Sequence, residues 1–168
     1  SGPLILAANH PGGMDFIVFF LESEMDTGGS YQGVCTSATC LAVVQWVDYL
    51  LTSTYPNHRA IIVSHALMAP GGTFHGHGQV LYDALKDNPN VFLMMCGHLY
   101  QANHRVDLGT DGHPIYTLIS DYQTRSNGGN GWLRIMTFDP QSDTIHVETF
   151  SPTVVTGGRF INKPTAHG

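Results

Sequence analysis

The sequence predicts one α/β domain, a mixed β-sheet flanked by helices. Three observations point there. Short apolar runs of strand length alternate with a segment of helical period through the first two-thirds of the chain. The last third carries three more apolar runs parted by Gly-, Asn- and Asp-rich turns, the outline of an antiparallel meander. No internal repeat or linker interrupts the 168 residues, which suffice for one core. The domain is placed at residues 1–155, with 156–168 as a tail.

The elements follow in order. Leu4–Ala8 reads as a short buried strand before the turn "NHPGG". Asp15–Glu22, "DFIVFFLE", is a second buried strand. Leu41, Val44, Val47 and Leu51 recur at helical spacing, which predicts a helix over Thr36–Leu51. Ala60–Ser64 is a buried strand that stops at His65. "LMAPGGTFHGHG" (Leu67–Gly78) is a Gly-rich loop, and Gln79–Leu85 a short helix ended by "KDNPN". Val91–Cys96 is a buried strand that stops at Gly97-His98. Pro114–Ser120, Gly131–Phe138 and Thr144–Phe150 are the meander strands.

Composition narrows the function. Charged residues are 12% and the net charge is −6, which argues against a nucleic-acid or anionic-membrane surface. No apolar run approaches the roughly 20 residues that span a bilayer. The low charge and the many Gly, Asn, Thr and Ser suit a secreted or periplasmic protein. Three cysteines make an odd count: Cys35 and Cys40 can pair, which leaves Cys96 as a buried thiol. Ten histidines outnumber seven Lys and Arg, so a metal site is worth seeking.

Two buried strands end on histidine, "AIIVSH" at His65 and "VFLMMCGH" at His98. Ligand sites of open α/β sheets form at the carboxyl ends of strands. Neighbouring strands lie about 4.8 Å apart, so two such histidines can share one ion, and neutral imidazole suits Zn²⁺, Fe or Mn²⁺. Gly97 lets the backbone turn and a ligand approach. The competing reading is that each histidine merely caps a strand in a solvated loop.

"RAIIVSH", followed after a loop by "NPNVFLMMCGH", resembles the calcineurin-like metallophosphoesterases, in which successive strands deliver a His ligand and then a Gly-His-x-His motif. "QWVDYLL" (Gln45–Leu51), "SDYQTRSNGGNGWLRIMTFDP" (Ser120–Pro140) and "TIHVETFSP" (Thr144–Pro152) are similar to secreted bacterial members. The resemblance covers roughly residues 14 to 155. It implies a mixed β-sheet sandwich flanked by helices, the C-terminal half of that family's four-layer fold. It also implies a divalent metal cofactor (Zn, Fe or Mn), hydrolysis of a small phosphate mono- or diester, and His65 and His98 as catalytic metal ligands.

The departures from the family pattern matter as much. Its Asp-x-His and Gly-Asp motifs occur nowhere in the chain, which then looks like a portion without its N-terminal half. Uncovered apolar sheet would favour self-association or a partner chain. "AANHP" is the one candidate for the family's Asn-His motif, which would make Asn9 and His10 ligands. An alignment that places Leu4–Ala8 downstream of that motif, with His10 an ordinary turn residue, is preferred. Tyr100 stands where the second His of Gly-His-x-His belongs, and His104 is a substitute ligand if the loop folds back. His75 and His77 share a side in extended chain. Together with Tyr100, Tyr122, Gln123 and Arg125 they are the candidate substrate contacts.

Overall fold

The computed structural model describes residues 4–8, 14–23, 35, 37–69, 71–99 and 102–153. Six strands form one mixed sheet: β1 (Leu4–Ala8), β2 (Phe16–Leu21), β3 (Arg59–Ser64), β4 (Val91–Cys96), β5 (Ala102–Leu108) and β6 (Pro114–Ser120). Their order across the sheet is β1-β2-β3-β4-β6-β5. The four central strands, β2, β3, β4 and β6, run parallel, and β1 and β5 close the edges antiparallel. A separate hairpin pairs β7 (Leu133–Asp139) with β8 (Thr144–Phe150).

The two crossovers that make β2, β3 and β4 parallel each carry a helix. α1 (Ala38–Ser53) starts where Ser37 accepts a hydrogen bond from the Cys40 N–H at 3.0 Å. Its Val44, Val47 and Leu51 bury against Ile17, Phe19 and Ile62 of the sheet. Burying each such side chain is worth about 1.5–3 kcal/mol. α2 (Gly76–Leu85) adds Leu81 and Leu85 to the same core. The loop after α2 is tied down by amides. Asn88, 2% exposed, donates to Asp48 of α1 and to Leu85 O, and Asn90 donates to Tyr55 O. Such bonds keep buried polar groups from costing their full desolvation.

The opposite face of the sheet carries the β7–β8 ribbon. Ile61, Phe92, Leu93 and Leu118 pack there against Met136, Phe138 and Ile145. The layers are therefore helices, sheet and ribbon, with α1 and α2 on one face.

Four expectations need correction. β6 is not a meander strand: it lies inside the main sheet, parallel to β4, so only β7 and β8 form a hairpin. β5 was not expected, because "ANHRVDL" lacks an apolar run. Its polar residues are satisfied in pairs instead: Arg105 grips Asp107 through two bonds of 2.6 Å and lies over the Phe74 ring at 4.0 Å. α2 begins three residues before the expected Gln79. Gly78 explains why: its backbone sits so close to Leu67 that a Cβ would fall 2.0 Å from the Leu67 carbonyl oxygen. Trp46, which an apolar helix would be expected to bury, is 37% exposed and meets Phe19 edge-on.

Candidate functional site

Adjacent parallel strands β3 and β4 end level with one another, Val63 opposite Met95. The next residues bring His65 and His98 together, with Nε2 of His65 2.9 Å from Nδ1 of His98 and ring centroids 4.5 Å apart. The Gly97 N–H donates to the His65 carbonyl at 3.2 Å and pins the two strand ends. One ring nitrogen of this contact must lack a proton. Desolvation, and next the charge of neighbouring His98, push the His65 pKa below its ordinary value, while Asp121 pulls it partly back. A neutral imidazole is the form that binds a cation.

The strained residue of the turn is His98 itself, at φ +69°. Side chains other than Gly pay about 1–2 kcal/mol for that region, and such strain concentrates at functional sites. Gly97, expected to supply this freedom, does not: its φ is ordinary, and a Cβ there would sit 3.9 Å from Ser120 O, a normal contact.

Two carboxylates stand at the neighbouring strand ends. Asp121 follows β6 beside β4, and Glu22 follows β2, whose Leu21 lies opposite Ser64. The order across the carboxyl edge is thus Glu22, His65, His98, Asp121. Neither stands out as a ligand in the sequence, where Asp121 belongs to the segment "SDYQTRSNGG" and Glu22 ends "DFIVFFLE". Both follow an apolar strand run, as the two histidines do, and that shared position was the available signal.

The other candidates are scattered. Asn9, His10 and Tyr100 lie outside the described residues. His104 sits in β5 opposite Leu118, exposed on the ribbon side of the sheet. His104 is thus held in an edge strand, paired with β6 rather than with the histidine pair. His75 and His77 are not in extended chain. His75 is the N-cap of α2, and His77 lies inside it, wholly buried, with Nε2 3.0 Å from Ser64 Oγ. A side chain at 0% exposure meets no substrate. Tyr122, 8% exposed, lines the cleft between sheet and ribbon, and its hydroxyl donates to Thr149 Oγ1 at 3.4 Å.

Gln123 and Arg125 are exposed. The Gln123 N–H donates to Asp121 Oδ1 at 3.0 Å, and the Arg125 guanidinium lies 5.0 and 5.1 Å from the Tyr122 and Trp132 ring centres. Two aromatic faces therefore hold a cation beside Asp121. The following "NGGNG" runs through five consecutive left-handed residues, Asn127 to Gly131, a path that Asn and Gly tolerate best. A cleft of about 270 Å³ separates sheet and ribbon here. Its walls include Cys96 and Ser120, the strand ends next to Gly97-His98 and Asp121.

Cys35 and Cys40, which the sequence allows to pair, form a disulfide with Cα atoms 5.5 Å apart. Cys96 is free and half-buried, and burial raises its thiol pKa. Cys35, Cys40 and His77 are, among the described residues, a group whose ligand atoms lie within 4.8 Å of one another. No described helix is long and apolar enough to cross a membrane. The disulfide is compatible with an extracellular or periplasmic setting.

No protein-family model matches the chain. The chain is similar to YvnB of Bacillus subtilis (strain 168), described as an uncharacterized protein, with 31% identity over 118 residues. The match covers 66% of this chain and only 9% of the relative, so the chain spans a small part of that protein's length.

Proposed function

We propose that the chain is a calcineurin-like metallophosphoesterase domain, or the C-terminal portion of one: a metal-dependent hydrolase of small phosphate mono- or diesters. The contact of His65 with His98 at the ends of adjacent parallel strands carries this reading. Two imidazoles 2.9 Å apart, one disfavoured as a cation, suit a shared divalent ion better than two strand caps in solvent. Zn, Fe or Mn fits the nitrogen donors, and Asp121 and Glu22 follow the flanking strands at the same edge of the sheet. Such an ion supplies charge for a developing phosphoryl oxyanion and an activated water. Arg125, held over two rings, would present its guanidinium to the phosphate, and Gln123 would add a side-chain donor. A secreted or periplasmic location belongs to the same reading.

The test is metal content together with hydrolysis. The chain should retain Zn, Fe or Mn and cleave p-nitrophenyl phosphate or its diester. His65→Ala and His98→Ala should each lose metal and activity while keeping the fold by circular dichroism. Equal metal retention in both variants would sink the proposal.

A second reading has its own observation. Leu6, Phe20, Val106, Leu108 and Ile135 are 38–63% exposed, all on the ribbon side of the molecule. They support a binding domain that associates with itself or with a partner through this side. A monomer whose hydrolysis vanishes in His98→Ala would refute it.

A further inference from the structure

The disulfide and His77 lie apart from the His65–His98 pair in chemistry, though not in space. Cys35 precedes α1, Cys40 occupies its first turn, and His77 occupies the first turn of α2. They are 1%, 8% and 0% exposed, and their ligand atoms lie within 4.8 Å of one another. Two sulfurs and one imidazole form a borderline-soft donor set that oxygen-seeking cations do not prefer.

We infer that this cluster has two mutually exclusive closures: the disulfide, and in the reduced chain a Cys₂His site for zinc. Charge favours the second closure once the bond is open. Two buried thiolates alone would be costly, but with a divalent ion and a neutral imidazole the complex is neutral and suits an apolar interior. The amino end of α1 lowers the cost of the Cys40 thiolate further. Opening the S–S bond takes two electrons and two protons from a dithiol, which becomes a disulfide itself. The zinc then displaces both thiol protons to solvent. His77 Nε2 contacts Ser64 Oγ, and Ser64 precedes His65, so the closure chosen bears on the strand end that carries the candidate ligand. The inference is independent of the hydrolase reading.

The whole chain, reduced with dithiothreitol and desalted without air, is titrated with Zn²⁺ against a chelator and with Co²⁺ as a spectroscopic probe. The expected result is one more equivalent of Co²⁺ than in the oxidised chain, with a thiolate-to-cobalt charge-transfer band. Cys35→Ser, Cys40→Ser and His77→Ala should each weaken zinc binding by more than ~100-fold, since even groups behind the ligands cost up to about that. A folded reduced chain without the band overturns the inference. So does a band that survives in the Cys35→Ser/Cys40→Ser double variant, because Cys96 would then be its source. A reduced chain that fails to fold even with zinc also overturns it, since the metal would not replace the disulfide.

Discussion

The two faces of the central sheet are finished differently. On the helix face, Ile17, Phe19, Ile62, Leu81 and Leu85 interlock with α1 almost without exposure. On the other face, a ribbon of two seven-residue strands spans only the middle of six strands. Leu6 and Phe20 stay uncovered at one margin and Val106 and Leu108 at the other, and a cleft opens beside β4 and β6. Stability is therefore concentrated on the helix face. The ribbon face holds what the structure leaves available to other groups.

The largest effect should come where a helix meets backbone. Gly78→Ala drives a methyl to within 2.0 Å of the Leu67 carbonyl oxygen, so α2 must move. A loss of about 3 kcal/mol or more is expected from such a core clash. Gly128→Ala on the ribbon side meets nothing within 4 Å and suffers only its φ of +68°, about 1 kcal/mol. Urea midpoints of the two variants would break the comparison if their order reversed.

Core truncation sharpens it further. Leu81→Ala removes a side chain that is 1% exposed and should cost about 3 kcal/mol. Phe138→Ala on the half-buried ribbon should cost about 2 kcal/mol despite deleting more atoms, because water already reaches part of the ring. Equal losses in chemical denaturation would mean that the ribbon is as tightly packed as the helices.

Next comes the strained strand end. His98 sits at φ +69°, so Ala there keeps the strain and Gly relieves it. Metal-free His98→Gly should melt as the more stable of the two, by about 1 kcal/mol. Both should bind metal equally poorly. If Ala were the more stable, the turn would not be held against its own preference.

Much of this was legible in the chain. The bounds of β1 and β4 follow from apolar runs alone; for β4 the reason is that a parallel central strand is buried on both faces and needs no alternation. That His65 and His98 each follow a buried strand is read from the two runs that deliver them; that the strands are neighbours is seen only in the sheet order. β5 was hidden because its polar residues find partners only in three dimensions, Arg105 with Asp107 and with the Phe74 ring. The burial of His77 was hidden by its glycines, which read as loop until Gly78 is seen to permit helix contact. Glu22 and Asp121 were missed for a third reason. Strand order, not sequence distance, sets them beside the histidines, and one-dimensional spacing carries no record of that order.

The smallest change in stability should have the most telling consequence for the ribbon face. Val106 and Leu108 are 51% and 63% exposed and share the ribbon side of edge strand β5. Replacing both with Lys removes little buried area, so folding stability should shift by under ~0.5 kcal/mol. Edge lysines also block strand-to-strand association. If the uncovered margin is an interface, the variant should sediment as a smaller species than the parent at the same concentration, with an unchanged melting curve. If parent and variant sediment alike as monomers, the apolar margin is tolerated exposure, and the self-associating reading loses its support. The hydrolase reading is unaffected either way, because its residues lie at the strand ends and not on this margin.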